Sequence, residues 1–217
     1  YLESLVRESI ETVVQAVPHI KERSPEAIAA VMEGLILSGI VMSYAGNSRP
    51  ASGSEHHLSH YWEMMFLQQG RPAVLHGTKV GIGTVQALSL YKKFLTESLD
   101  FKNRKESYHF DRGTWENQIK AAYGSAADAV ISLENDVHKN SDEQVSARLD
   151  SLHAHLTEVY AMIDALPDSE EIADLLGQLE APFLPEQIGV DADMVVNAIK
   201  YAKDLRNRYG LLQMLYD

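Results

Sequence analysis

Residues 55–95 read EHHLSHYWEMMFLQQGRPAVLHGTKVGIGTVQALSLYKKFL, and the spacing of apolar residues in this segment indicates the fold class. The pattern over about 55–69 is that of a helix, and a second, more apolar helix is predicted from 76 or 77 to about 95. The loop between them, 70–75, is short and contains Pro72, which cannot continue a helix. Two helices joined in this way return the chain close to where it left, so the stretch predicts an antiparallel helix pair.

Helical periodicity also dominates the rest of the chain. Further helices are predicted at about 2–17 (stopping at Pro18), 25–44, 112–134, 141–165, 168–180 and 191–209, with a polar loop at 100–112. Ser24 before Pro25, and Asp191 before the last helix, are typical N-terminal caps. There is no convincing alternating strand pattern and no dividing linker. We therefore expect an all-α fold with one domain over 1–217 and the most apolar segments, 25–44 and 77–95, buried at its centre.

Several glycines lie inside these predicted helices. Gly34 and Gly39 fall in the 25–44 segment, and Gly81 and Gly83 fall in the 77–95 segment. Each costs roughly 1 kcal/mol of helix propensity relative to alanine. Their presence predicts close helix packing or close backbone approach at these positions.

Composition narrows the functional classes. The formal net charge is −12, and such a surface repels phosphate backbones and anionic lipid, so we expect neither a nucleic-acid nor a membrane partner. The absence of cysteine excludes thiolate chemistry and is compatible with a cytoplasmic protein. No stretch is expected to reach the roughly 20 apolar residues of a membrane span, and the N-terminus does not resemble a signal peptide. Tyr1 opens directly into a helical pattern, which suggests a piece of a longer protein.

Four histidines cluster on the helix pair: His56, His57, His60 and His76. His56 and His60 share a helix face, and His76 begins the returning helix, so their imidazoles can converge on a catalytic metal ion. A histidine pair at this spacing can equally be a surface pair or part of the core, and both interpretations stay open on spacing alone. A zinc peptidase is disfavoured because Glu55 precedes the first histidine instead of following it. A two-metal carboxylate bundle is disfavoured because Glu-x-x-His does not occur on two helices.

The runs SRPASGSEHHLSH at 48–60 and LHGTKVGIGT at 75–84 closely resemble glycerol-1-phosphate dehydrogenases, and IGV at 188–190 and RNRY at 206–209 resemble the family's C-terminal end. These enzymes belong to the metal-dependent, iron-containing alcohol dehydrogenase and dehydroquinate synthase superfamily. Glycerol dehydrogenases and dehydroquinate synthases share the two-histidine layout but lack the SRPASG lead-in. The resemblance implies the multi-helix C-terminal metal-binding domain of that fold.

The resemblance also implies a role for each histidine. His56 and His76 match the family's two metal-binding histidines, for zinc, nickel or iron. His60 matches a histidine near the substrate and is expected to relay a proton or support a ligand. His57 points elsewhere on the helix and is expected to pack or to support the ligands indirectly.

Two features of the family are missing from this sequence. The family's third metal ligand is an aspartate upstream of the first helix, whereas the first aspartate here is Asp100. The glycine-rich dinucleotide loop between a strand and a helix is also absent, since Gly81-Ile82-Gly83 lies inside a predicted helix. We therefore expect the N-terminal dinucleotide-binding domain to be absent from this chain.

For the intact enzyme, the resemblance implies NAD(P)H-dependent reduction of dihydroxyacetone phosphate to sn-glycerol 1-phosphate, a step of phospholipid biosynthesis, in a cytoplasmic homodimer. Arg49 and Lys79 flank the histidines and are candidates for binding the substrate's phosphate, although either could form a surface salt bridge instead. A dehydrogenase acting on glycerol or another small polyol is one alternative. A non-catalytic helical module that binds a structural metal, or none, is another.

Overall fold

The computed structural model describes residues 1–97 and 99–217, and over these residues the chain is all-helical with no strand. The α-helices in chain order are α1 (Leu2–Ile20), α2 (Pro25–Ala45), α3 (Ser54–Gln68), α4 (His76–Thr96), α5 (Phe101–Ser107), α6 (Arg112–Tyr123), α7 (Ala127–Val137), α8 (Asp142–Ala154), α9 (Leu156–Asp164), α10 (Ser169–Gln178), α11 (Ala192–Tyr201) and α12 (Leu211–Tyr216). Short 3-10 helices lie at Arg49–Ala51, Gly124–Ala126, Pro185–Ile188 and Ala202–Leu205. The all-α fold class is confirmed. The assignment of 1–217 to one domain stays a prediction.

Local signals set several helix ends as expected. The Ser24 side chain accepts a hydrogen bond from the backbone N–H of Ala27 at 3.1 Å, with Pro25 at the first helical position of α2. Gly46 ends α2 in the left-handed conformation, with φ of 67°. Asp191 caps α11 by accepting from the N–H of Met194 at 2.8 Å.

Other helix boundaries differ from the sequence prediction. α1 continues through Pro18, which lacks the N–H for an intrahelical hydrogen bond, and ends two residues later at Ile20. Segment 100–112, predicted as a loop, contains α5. α11 ends at Tyr201 instead of near 209, and a 3-10 helix (Ala202–Leu205) follows it. Arg206 therefore lies in extended backbone, with φ of −144°.

The largest core cluster forms around α3. Leu58, Tyr61, Trp62 and Phe66 of α3 are each at most 2% exposed, and α4 packs beside them through Ile82. Residues from α6, α7, α11 and α12 complete the cluster: Trp115, Ile119, Tyr123, Val130, Ala198 and Leu212. A second cluster contains Phe94, Leu152, Ile163 and Met214. The prediction that 77–95 lies at the centre is confirmed, since α4 contributes to both clusters.

The prediction that 25–44 lies at the centre is wrong. α2 packs mainly against α1 and buries only Ala27, Gly34 and Val41. Its opposite face is apolar and exposed, with Ile28, Met32, Leu35, Ile36, Ile40 and Tyr44 each at least 40% exposed. Hydrophobic residues all round a helix indicate burial only when neighbours cover every face, and the described part of the chain covers one.

α2 also bears on the membrane question. It has 21 residues and a best-window mean hydropathy of 1.8, so by length and composition alone it could cross a membrane. The expectation that no segment reaches this length and apolarity is therefore wrong.

The close packing predicted at the four glycines inside helices is present at some of these positions and not at others. A Cβ at Gly34 would lie 2.6 Å from a methyl group of Val13 in α1, which confirms the expected close packing there. A Cβ at Gly83 would lie 2.6 Å from the carbonyl oxygen of Glu55, which confirms a close backbone approach between α3 and α4. A Cβ at Gly81 would make ordinary contact with Leu176 at 3.5 Å. At Gly39 it would meet nothing within 4 Å, so the expected contact is not present among the described residues.

Candidate metal and substrate site

Three histidine rings meet between the first half of α3 and the first residue of α4. The ring centroids of His56 and His76 are 5.2 Å apart, those of His60 and His76 are 5.5 Å apart, and those of His56 and His60 are 6.3 Å apart. His56 and His60 lie one turn apart on α3, and His76 is the first residue of α4. The convergence expected from the helix pair is confirmed, while the role of each histidine stays a prediction.

Gly83 makes this approach possible. Its missing side chain leaves room for the backbone of Glu55, which immediately precedes His56. A larger residue at 83 would have to displace the first turn of α3, because a backbone carbonyl cannot rotate away as a flexible side chain can. The distance between His56 and His76 therefore depends on a glycine seven residues into α4.

Glu63 joins the histidines and was missed by the sequence analysis. Its Oε2 lies 3.4 Å from Nδ1 of His60, and its Oε1 lies 3.1 Å from Nζ of Lys79. One ligand atom from each of His60, Glu63 and His76 lies within 4.8 Å of the others. The available signal was the spacing, because a residue three positions after His60 on a helix lies on the same face.

His56 has a carboxylate partner of its own. Its Nδ1 lies 2.8 Å from Oε1 of Glu55, and both side chains are partly buried, at 21% and 24% exposed. If Nδ1 donates to this carboxylate, the Nε2 lone pair stays free to bind a cation. Metal-binding histidines characteristically donate their other ring N–H to a carboxylate or carbonyl in this way.

The donor set fits a first-row transition metal. Imidazole nitrogens with one carboxylate are suitable ligands for zinc, iron or nickel, and the described residues offer them without a thiolate. Three protein ligands would leave a further position open, as in catalytic sites. The residues present therefore fit the metal that the sequence resemblance implies.

The ionisation states also suit metal binding. Burial, together with the charges of His76 and Arg206, lowers the pKa of His60 despite the opposing effect of Glu63. Burial raises the pKa of Glu63, but its contacts with Lys79 and His60 outweigh burial and bring the pKa below its usual value. A neutral imidazole and an ionised carboxylate near neutral pH are the forms that bind metal.

His57 lies on another side of α3. It is 5% exposed, and its Nε2 has no hydrogen-bond partner among residues 1–97 and 99–217. Burial, with a smaller contribution from Arg208, lowers the pKa of His57 to about 4, so the ring is neutral at physiological pH. Its burial supports the expected packing role.

A cleft of about 450 Å³ opens beside the histidine rings. Its lining is Met42, Ser48, Ala51, Ser52, His56, His57, His60, Arg206 and Arg208. The Arg208 guanidinium donates to the carbonyl of Ser52 at 2.5 Å and to Oγ of Ser48 at 2.9 Å, so it holds the loop that precedes α3. The resemblance of 206–209 to the family's C-terminal end did not predict that two arginines, Arg206 and Arg208, reach the histidine cleft.

Lys79 and Arg49, the two candidate phosphate-binding residues of the sequence analysis, differ in burial and in their partners. Lys79 is 1% exposed, and its ammonium is paired with Glu63, so its charge is compensated inside the cluster. Arg49 is exposed in the 3-10 helix Arg49–Ala51 and lines a neighbouring cleft of about 450 Å³ together with His57, Tyr91 and Arg208. Neither residue is shown to bind a substrate.

Comparison with known proteins gives a consistent set of relatives. No protein-family model matches the chain. A protein of Geobacillus stearothermophilus named glycerol-1-phosphate dehydrogenase (NAD(P)+) is 30% identical over 216 residues, which are 99% of this chain and 45% of the relative. Proteins of the same name from Staphylothermus marinus and Methanothermobacter thermautotrophicus are 42% and 40% identical over 91 and 94 residues. The chain spans less than half the length of the curated relatives it matches.

Proposed function

The chain belongs to the glycerol-1-phosphate dehydrogenase family, and we propose that it is the C-terminal, metal-binding half of such an enzyme. The intact enzyme would use NAD(P)H to reduce dihydroxyacetone phosphate to sn-glycerol 1-phosphate in the cytoplasm, as a homodimer. The observation that carries the proposal is the convergence of His56, His60 and His76 within 6.3 Å between ring centroids. Similarity over 99% of this chain, which corresponds to 45% of a relative of that name, supports the substrate class.

We propose that His56 and His76 hold a divalent zinc, nickel or iron ion. The contact between Glu55 and Nδ1 of His56 would fix the ring with Nε2 directed to the ion. When bound, the metal supplies a Lewis acid for the carbonyl oxygen of the substrate. A third ligand would come from the half of the relatives' length that this chain does not span, or from Glu63.

His60 is the proposed proton donor. Reduction of a ketone produces an alkoxide, and a positioned imidazole can protonate it directly or through one water molecule. Because the pKa of His60 is lowered, the ring would first take up a proton from solvent; the Glu63 carboxylate, 3.4 Å from Nδ1 of His60, would hold the ring and stabilise this imidazolium until the proton is given to the alkoxide. The ammonium of Lys79 is buried and lies 3.1 Å from the Glu63 carboxylate, so it holds that carboxylate in place.

Positive charge near the cleft would bind the phosphate of the substrate. Arg49 is exposed at a cleft that also contains His57, so its guanidinium can approach a ligand there. Lys79 would contribute through its field and through Glu63, because its ammonium is buried and paired. Phosphate affinity therefore distinguishes this function from that of a dehydrogenase for a neutral polyol, which needs no cation in the cleft.

The nicotinamide cofactor would bind outside this chain. Gly81-Ile82-Gly83 lies inside α4 and packs on Glu55, so it cannot form the strand-to-helix loop that surrounds a pyrophosphate. We expect this chain alone to show no NADPH binding by calorimetry and no turnover of dihydroxyacetone phosphate. Micromolar NADPH binding by the chain would contradict the proposed division of roles.

Zinc titration of single-alanine variants tests the ligand set. We expect His56→Ala and His76→Ala to weaken zinc binding by more than the roughly 10–100-fold typical of losing an outer contact. His60→Ala should keep most of the affinity and, in the full-length enzyme, lower the turnover rate. His109→Ala is the matched control, because that ring is 81% exposed and pairs with Asp142.

The same titration separates a second ligand set. Among the described residues, His60, Glu63 and His76 form the group whose ligand atoms all lie within 4.8 Å of one another, and His56 is not part of it. If zinc affinity fell in His60→Ala and Glu63→Gln but not in His56→Ala, that set would replace the proposed one. If none of the four variants changed zinc binding, the chain would be a non-catalytic helical module and the proposed function would fail.

A further inference from the structure

Arg206 is an arginine with no carboxylate partner, beside the histidine rings. Four of the nine arginines, Arg7, Arg104, Arg112 and Arg148, each lie within 3.7 Å of a carboxylate oxygen. Among residues 1–97 and 99–217, Arg206 is one of five arginines without such a pair, and one of two that line the cleft of His56 and His60. In a protein with a net charge of −12, two guanidinium groups without a carboxylate partner at the same cleft favour the binding of an anion there.

The position of Arg206 links it to the reacting groups. It lines the cleft shared by His56 and His60, and it also lines a second opening, of about 290 Å³, that His60, Glu63 and Met64 line as well. Volumes of this size suit a small organic ligand. An anion bound to Arg206 would therefore place the rest of its molecule next to the proposed proton donor.

The backbone that carries Arg206 is fixed by buried charges. Nζ of Lys139 donates to the carbonyl of Lys203 and, at 3.2 Å, to the carbonyl of Arg206. Asp204 accepts from Lys203 at 2.9 Å and from the amide of Asn140 at 3.0 Å. All of these side chains except Arg206 are at most 6% exposed. A side chain that extends from such an anchored segment loses less conformational freedom when it binds, because its base is already held.

Arg208 reinforces the same surface. It shares the cleft of His56 and His60, and its guanidinium holds the loop at Ser48 and Ser52 through neutral acceptors. Its positive charge is therefore not cancelled by these contacts. By contrast, the buried ammonium of Lys79 is already paired with Glu63. The cations that line the cleft of His60 are Arg206 and Arg208, which follow the 3-10 helix Ala202–Leu205.

We propose that Arg206 is the phosphate-binding, specificity-determining residue of the site, with Arg208 adding charge and holding the preceding loop. This inference rests on the proposed function and names the group that would select a phosphorylated substrate over a neutral polyol. The planar guanidinium presents a fork of N–H donors that matches two oxygens of a phosphate. Its location beside His60 sets the reacting carbon of a three-carbon substrate near the histidine rings.

Calorimetric titration of the metal-free chain with inorganic phosphate tests the proposal. The wild-type chain should bind phosphate, and Arg206→Ala should weaken binding by roughly 10- to 100-fold, the loss expected for charge-assisted hydrogen bonds. Arg206→Lys should fall between them, because it keeps the charge but loses the fork. Arg7→Ala is the control: it removes the same charge from α1, where Arg7 pairs with Glu3 at 3.0 Å.

The outcomes are distinct from those of the metal test. Equal phosphate affinity in wild type and Arg206→Ala, an equal loss in Arg7→Ala, or no phosphate binding by the wild type would each overturn the proposal. Glycerol 1-phosphate should compete with phosphate and glycerol should not. Zinc affinity should be unchanged in Arg206→Ala. Phosphate binding by Arg206 and metal binding by His56 and His76 can therefore each be refuted without refuting the other.

Discussion

Replacing Gly83 with alanine should separate α3 from α4 at the metal site. The new Cβ would lie 2.6 Å from the Glu55 carbonyl oxygen, 3.2 Å from its carbon and 3.3 Å from its Cα. All three are backbone atoms, so relief requires the first turn of α3 to move. Forcing extra volume into a packed contact typically costs about 1–3 kcal/mol.

Gly39→Ala is the matched control for this change. Both positions are helical, so both gain roughly 1 kcal/mol of helix propensity from alanine. A Cβ at Gly39 meets no described atom within 4 Å. The difference in unfolding free energy between the two variants therefore isolates the clash and should be about 1–3 kcal/mol, with Gly83→Ala the less stable.

Urea unfolding followed by far-ultraviolet circular dichroism measures that difference. With a slope of about 1–3 kcal/mol per molar urea, the two midpoints should differ on the order of 1 M. Zinc titration of the same proteins gives the functional readout: Gly83→Ala should bind zinc more weakly, because His56 moves with Glu55 while His76 stays on α4. If Gly83→Ala were as stable as Gly39→Ala and bound zinc like wild type, the argument that this glycine sets the histidine geometry would be refuted.

Three further predictions concern the buried charges and the cleft. Burial lowers the pKa of Lys139 to about 8 from 10.5, so between these values the unfolded chain binds more protons and the unfolding free energy rises with pH. The unfolding free energy of wild type minus that of Lys139→Met, measured by urea unfolding, should therefore increase by on the order of 3 kcal/mol from pH 7.5 to 10.5. A difference that does not change with pH would contradict this. Glu63→Ala should destabilise the fold by about 1–3 kcal/mol, because the buried ammonium of Lys79 loses its partner, and Glu63→Ala with Lys79→Met should recover part of this loss in the same assay. In the full-length enzyme, Arg206→Ala should raise KM for dihydroxyacetone phosphate more than for unphosphorylated dihydroxyacetone in steady-state kinetics; equal changes would exclude a phosphate contact.

Much of the local architecture could be predicted from residues near one another in the chain. The helix pair of α3 and α4, the caps at Ser24 and Asp191 and the convergence of the histidines depend on spacings of a few residues and on one short loop. Glu63 could have been found in the same way, three residues after His60.

The burial of α2 could not be read from its sequence. Its composition is apolar almost all round, but the hydropathy of a helix does not say which faces have neighbours. α1 covers one face of α2, and the face with Leu35, Ile36 and Ile40 is open among the described residues. Burial depends on the rest of the protein, and the relative from Geobacillus stearothermophilus is more than twice as long as this chain.

The helices, the spacing of the histidines and the family resemblance can be read from the chain alone, because helical periodicity and a short loop act over neighbouring residues. Which cations reach the histidines depends on long-range packing. Arg208 contacts Ser52 across 156 positions of chain, and Arg206 is held in place by Lys139 across 67. No periodic pattern records such contacts. They form because the buried charges around Asp204 must find partners within the packed interior, and satisfying them anchors the end of the chain beside the histidines.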